Sequence, residues 1–192
     1  MNDGLDKAVD ALLAGKAVIF PTDTVYGLGV SVKHARTLKA IYDLKKRDAG
    51  KPIAWLVDGV GALDEYGVDV PDRARALAAQ HWPGALTIIV RANENVPDEF
   101  RSGWGTIGLR MPDCKTTLEL IKSVGSPLAT SSANISGNPD SSSANSIDES
   151  LLDKVAAVVL DDASSGGVAS TVIDCSQGKT VIVRQGAIRV EP

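Results

Sequence analysis

Three short polar clusters carry the side chains best suited to chemistry: Thr22-Asp23-Thr24, Thr130-Ser131-Ser132 with Asn134, and Ser170-Thr171. Each reads as following an apolar strand. In open α/β sheets ligands collect at the carboxyl ends of strands, where loops expose backbone N–H groups and short polar side chains. Hydroxyls and glycine-flanked amides there can surround a phosphate or a carboxylate. The same residue types cap helices and build turns, so turn chemistry by itself accounts for any one cluster. Three together favour a site.

Cations supply the second ingredient. Lys45, Lys46, Arg47 and Lys51 sit at a helix end and in the loop after it. A cationic last turn also satisfies the helix dipole with no ligand present. Arg110 and Arg184 differ, because each closes a β-rich run, where an isolated arginine more often meets an anion or a carboxylate. His34 and His81, the only histidines, lie in no nucleophile elbow or HExxH pattern and read as structural or solvent-facing. Without a Ser/His/Asp or Cys/His set, chemistry would rest on positioning and charge neutralisation, not on a protein nucleophile. No GxxxxGK[ST] loop and no GxGxxG after a strand is present, so neither common nucleotide fold is supported.

The elements that must position these residues alternate along the chain. "LDKAVDALLAG" carries Leu5, Val9, Leu12 and Leu13 at helical spacing, with Asn2 or Asp3 as N-cap and Gly15 as a stop. A strand over 17–20 follows, then a helix in "ARTLKAIYDLK" with Leu38, Ile41 and Tyr42, and a short buried strand "IAWLV". "PDRARALAAQHW" reads as a helix opened by Pro71 and broken by Trp82-Pro83-Gly84. "ALTIIVRA" and "GTIGLRM" read as strands, 114–124 as a helix, and "PLAT" as a strand running into "SSANISGNPDSSSANS". No helix or strand pattern accounts for that last segment, and its glycines and serines suit a lid. A short helix near Leu151, the run "VAAVVL", the loop "DDASSGGVAS" and two β-rich runs, "STVIDC" and "TVIVRQG", complete the chain. The last two strands are separated only by "SQGK", which implies a mixed sheet.

Composition sets the outer bounds. The 192 residues fit one ordinary α/β domain, and with 44% hydrophobic but only 4% aromatic residues the core must be mostly Val, Ile, Leu and Ala. A net charge of −4 argues against a general basic surface for nucleic acid and leaves room only for a local basic cleft. Cys114 and Cys175 stand far apart with no CxxC or Cys/His spacing, so they read as buried structural thiols rather than a disulfide or a zinc site. Neither a signal-peptide pattern nor an apolar run of about 20 residues is present, and a soluble cytoplasmic protein with no membrane contact is expected.

Together, "PTDTVYGLG", "LKKRDAGKP", "HWPGALT", "GTIGLRMPD", "ATSSANISG", "ASTVID" and "VRQG" resemble the YrdC family, in order, from about Ala17 to Ile188. The resemblance implies an α/β fold: a single YrdC-like domain over 1–192, with a twisted mixed parallel/antiparallel sheet and helices around a positively charged cavity. The additional C-terminal domain of longer family members is not expected. It also implies a nucleotidyltransferase that combines L-threonine, bicarbonate or CO2, and ATP, with Mg²⁺, into threonylcarbamoyl-adenylate and pyrophosphate. A tRNA threonylcarbamoyl transferase complex would then place the group on an adenosine beside the anticodon. By similarity Lys45, Arg47, Ser132 and Asn134 hold the nucleotide phosphates, with Lys45 and Arg47 catalytic, and Thr106 and Arg184 are further ATP contacts. Thr24, Arg110, Thr130 and Ser170 match positions that cradle threonine.

The sequence also departs from the family pattern. Asp48 stands where proline is usual, Lys51 replaces the asparagine of an Asn-Pro pair, and Leu56 stands for a frequent histidine. Asp140 replaces a serine, with Ser141 beside it, and Ala169 replaces a glutamate. Two other readings remain at this point: a non-catalytic module that binds tRNA or ribosomal RNA, and a carbamoyl-adenylate-forming module.

Overall fold

The structure, a computed structural model, describes residues 3–160 and 166–191. The helical spacing of Leu5, Val9 and Leu12 gives α1 (Asp3–Leu13), in which Leu12 is buried while Leu13 faces solvent. Asp3 lies inside the first helical turn, and Asn2 falls outside the described residues, as does part of the "DDASSGGVAS" loop. The chain continues through β1 (Val18–Phe20), β2 (Gly27–Ser31), α2 (Lys39–Lys45), β3 (Ala54–Leu56), α3 (Ala62–Tyr66), α4 (Asp72–His81), β4 (Leu86–Arg91) and β5 (Thr106–Arg110). It ends with α5 (Lys115–Val124), β6 (Leu128–Ser132), α6 (Glu149–Leu152), β7 (Ala157–Val158), β8 (Thr171–Asp174) and β9 (Val181–Arg184).

These strands form one sheet in the order β7-β1-β2-β6-β3-β5-β4-β8-β9. The pairs β1/β7, β3/β5 and β4/β8 are parallel and the remaining pairs antiparallel, so the sheet is mixed, as the alternation of elements and the short β8–β9 connection require. No helix among the described residues is long and apolar enough to cross a membrane.

α3 has no counterpart in the sequence reading, and three further features differ from it. β2 escapes it because Gly27 and Gly29 look like turn residues. A Cβ on Gly27 would lie 2.9 Å from Thr130 Cγ2, and one on Gly29 would lie 2.9 Å from both the Phe20 ring and Thr130 Oγ1. The glycines therefore make room for side chains of the flanking strands β1 and β6. β6 runs on through Ser131 and Ser132, so part of the serine-rich segment is strand, and 144–146 form a 3₁₀ turn closed by a capping box between Ser143 and Ser146. Finally, Ser170 and Thr171 stand at the start of β8 and do not follow a strand. Thr171 pairs in parallel with Leu86 of β4, and that pairing sets where β8 begins.

Alternation along each strand sorts side chains onto two faces. Ile19, Leu28, Trp55, Ile88, Leu109 and Ala129 join the larger core, with Ile41 of α2 and Ala74 and Leu77 of α4. On the other face Val18, Phe20, Leu56 and Leu128 pack beneath Ala8 and Leu12 of α1 and Leu120 and Ile121 of α5. Neither of these helices packs over β4, β5 and β8. There the same face presents Thr87, Ile89, Thr106, Gly108, Arg110 and Asp174, and these residues line a cavity.

Candidate active site

The cavity holds about 450 Å³, within the range of small-molecule sites. Thr24, Arg47, Thr106, Arg110, Thr130, Ser132, Ser170 and Arg184, eight of the residues singled out in the sequence, line it together. Its floor is the open half of the sheet face rather than the strand ends alone. Arg47, Arg110 and Arg184 bring positive charge, and Asp140 and Asp174 share the lining with them.

Lys45 and Asn134 are not in that lining. Lys45 is fully buried at the end of α2, and its ammonium donates to the backbone oxygen of Ser132, to the backbone oxygen of Asn134 at 2.7 Å and to Asn134 Oδ1 at 2.8 Å. Ser132 Oγ donates to the same Oδ1 at 2.7 Å, and Asn134 Nδ2 donates to Asn138 O at 2.6 Å. The lysine and asparagine thus fix the turn that carries Ser132 into the cavity. Lys46 closes α2 in the left-handed conformation (φ 49°), and Arg47 N–H returns to Tyr42 O at 2.9 Å. This reversal leaves Arg47 on the cavity wall. Its Nη2 donates to Pro52 O at 3.2 Å, while its buried Nε has no hydrogen-bond partner.

Burial and the neighbouring Arg47 guanidinium lower the pKa of Lys45 from 10.5 to about 8, against the pull of Asp140. A neutral amine has two N–H donors for three acceptors, so deprotonation loosens the Ser132–Asn134 turn. Affinity for an anion held by Ser132 is therefore expected to fall as pH rises through about 8. Because the folded pKa lies below the unfolded one, the native chain holds fewer protons than the unfolded chain between about pH 8 and 10.5. Through that window this group alone makes the fold more stable as pH rises. Anion binding lost above about pH 8 with no fall in melting temperature would identify deprotonation in place of unfolding.

Arg110, at the end of β5, is held on three sides. Nε donates to Gly84 O at 3.0 Å, Nη1 donates to Thr24 Oγ1 at 2.8 Å, and Nη2 forms a buried ion pair with Asp23. Burial lowers its pKa, offset by Asp23 and reinforced by Arg184. Thr22 and Thr24 complete this wall, with hydroxyls 3.0 Å apart. On the facing side Arg184 donates through Nε and Nη2 to Ser170 O at 3.1 and 2.8 Å, and Ser170 Oγ lies 2.8 Å from Thr87 Oγ1. Burial lowers the Arg184 pKa too, opposed by Asp140. Two guanidiniums that each lose hydration and repel each other suit an anion between the walls.

Sequence reasoning missed Asp23 as the partner of Arg110, since nothing local links residues so far apart. It also missed Thr87, although a hydroxyl inside the apolar run "ALTIIV" was a usable signal, and Ser102 and Trp104, which line the cavity before β5. Among the departures from the family pattern, Asp140, Ala169 and Leu56 line the cavity, whereas Asp48 is exposed and pairs with Lys51 at 2.9 Å. Ser141, next to Asp140 in the chain, is buried and donates to Ala133 O at 2.9 Å. His34 and His81 lie outside the lining, and both cysteines are buried.

Fold and cavity define a mixed-sheet α/β protein whose open sheet face carries an arginine- and hydroxyl-lined site. The chain belongs to the Sua5/YciO/YrdC family, whose profile, described as "Telomere recombination", matches residues 10–186. A threonylcarbamoyl-AMP synthase of Pyrococcus abyssi is 36% identical over 177 residues, covering 92% of this chain and 52% of that protein. One of Bacillus subtilis is 34% identical over 186 residues, covering 96% of this chain and 54% of that protein. A crystal structure of P. abyssi Sua5 complexed with L-threonine superposes with a TM-score of 0.88 at 35% identity, over 95% of this chain and 54% of that one. The chain thus spans about half the length of these relatives.

Proposed function

We propose that this chain, read as one YrdC-like domain on its single sheet, condenses L-threonine, CO2 or bicarbonate, and ATP into threonylcarbamoyl-adenylate, releasing pyrophosphate. The observation that carries this is the convergence of Arg47, Arg110 and Arg184 with Thr24, Thr130, Ser132 and Ser170 in one cavity. The names of the relatives, and the threonine complex of one, support it. The threonine amine adds to CO2 to give a carbamate, with loss of a proton. The new carboxylate oxygen attacks the α-phosphorus of ATP, the bond from that phosphorus to the bridging oxygen breaks, and pyrophosphate leaves with the electron pair. The nucleophile belongs to the substrate, so no covalent intermediate on the protein is required.

The chain's own residues bring two anions together and offset their repulsion. Arg110 uses three of its five N–H groups on Gly84, Thr24 and Asp23, leaving two for the threonine carboxylate. Thr130 and Ser170 supply hydroxyls on either side, and Thr106, Arg184 and Ser132 face the nucleotide. Arg47, with its unpartnered Nε, faces the phosphates, while Lys45 and Asn134 position Ser132. Mg²⁺ enters with ATP as part of the substrate. No group of three metal-binding side chains converges among the described residues, and Asp140 and Asp174 are the cavity carboxylates that would hold it. The product would pass to a tRNA threonylcarbamoyl transferase complex. Free Cys114 and Cys175 suit a reducing, cytoplasmic compartment.

Pyrophosphate release with ATP and Mg²⁺, omitting threonine and bicarbonate in turn, tests this reading. Release that needs both is expected, and release independent of threonine would overturn it. Arg47→Ala is expected to slow release about a hundredfold, roughly 3 kcal/mol of transition-state stabilisation. Near-unchanged turnover would remove Arg47 from the phosphate site.

A further inference from the structure

Trp104 is 82% exposed, the most exposed large apolar side chain among the described residues, whereas Trp55 and Trp82 are buried. It nevertheless lines the cavity. Its backbone is held in a tight turn: Gly105 N–H donates to Ser102 O at 2.9 Å and Trp104 N–H donates to Ser102 Oγ at 3.3 Å. The Ser102 and Thr106 hydroxyls, 2.6 Å apart, tie that turn to the start of β5. Gly103 and Gly105 flank the tryptophan, the latter at φ +69°, so neither chain neighbour brings a Cβ against the indole. The ring is thus presented on a fixed turn and left largely uncovered.

The occupant follows from what else lines the wall. Ile89, Phe100 and Val183 supply apolar surface, and Thr106 and Arg184 supply a hydroxyl and a cation. A flat, largely apolar ligand with polar edges suits that combination, and an indole face stacks on any nucleobase. The threonine methyl is too small to cover an indole. We propose that Trp104 is the platform on which the purine base of the nucleotide stacks, which rests on the ATP-dependent reading above. By closing over a base, the indole also shields the nucleotide end of the cavity from water.

Titration of the protein with ATP or with inorganic tripolyphosphate, without threonine or bicarbonate, reads this directly. Trp104 is the one water-exposed tryptophan, so ATP should quench the solvent-exposed component of the emission while tripolyphosphate does not. In Trp104→Phe that response should vanish, with ATP affinity by calorimetry largely kept by the remaining aromatic face. Trp104→Ala should bind ATP about ten- to a hundredfold more weakly while binding tripolyphosphate and L-threonine as before. Wild-type ATP affinity in Trp104→Ala overturns the proposal, as does an equal loss for all three ligands, which marks a structural role. Since these readouts involve no turnover, ATP-specific quenching without pyrophosphate release would sustain the platform and refute the synthase reading. Turnover with unchanged ATP binding in Trp104→Ala would do the reverse.

Discussion

Arg110→Ala is expected to abolish measurable threonine-dependent pyrophosphate release and to destabilise the fold by about 3–5 kcal/mol in denaturant unfolding. The two effects have separate origins. Stability falls because Asp23, whose side chain is 16% exposed, loses its cationic partner, while Gly84 O and Thr24 Oγ1 lose donors. Activity falls, on the proposed reading, because the two N–H groups left over for the threonine carboxylate vanish. Adding Asp23→Asn separates them, since a neutral amide needs no counter-ion. The double variant should recover a substantial part of the stability and none of the activity, and the coupling measured by the cycle is the ion pair's own. Full activity in the double variant would show that Arg110 only holds the wall and binds no substrate.

That ion pair marks the boundary of what the sequence discloses. Arg110 and Arg184 were legible because a lone guanidinium ending a β-rich run has few purposes, and β5 and β9 do end at them. The partners were not legible, because Asp23 reaches Arg110 only after β1, β2, β6, β3 and β5 have lined up across the sheet. Lys45 shows the same limit. Its position at a helix end and its match to a phosphate contact do not disclose that the last turn of α2 packs under the Ser132–Asn134 turn, where three oxygens accept hydrogen bonds from its ammonium. β2 was hidden because glycine signals backbone freedom, and only the tertiary neighbours Phe20 and Thr130 reveal that it signals missing volume here. The polar clusters were placed at strand ends, but alternation along β4 and β5 puts Thr87, Thr106 and Arg110 on one face, which makes the sheet itself the floor. Local pattern therefore located the cations and hydroxyls, and sheet register decided which of them meet.

Register also decides the second large effect, expected for Gly186→Ala in the "VRQG" segment. A Cβ there would fall onto the Ala169 carbonyl oxygen and the Ser170 carbonyl carbon, with Ser170 O at 2.5 Å. These are backbone atoms and cannot swing aside as a side-chain tip can, so the 169–170 strand entry or the 185–187 segment must move. Movement there breaks Gly186 N–H to Thr171 Oγ1 (3.0 Å) and Ala187 N–H to Ala169 O (2.9 Å). It also displaces Ser170, which holds both the Arg184 guanidinium and the Thr87 hydroxyl. Overpacking of this kind costs about 1–3 kcal/mol, and a shift of about 1 Å in a positioning group costs about a hundredfold in rate. Gly61→Ala is the control, because no atom lies within 4 Å of its Cβ position and its φ is ordinary. Thermal melting and pyrophosphate release should both fall for Gly186→Ala and stay unchanged for Gly61→Ala. If Gly186→Ala melts normally and turns over normally, Ser170 is not held in place by this contact, and the Ser170 side of the cavity must be rigid for another reason.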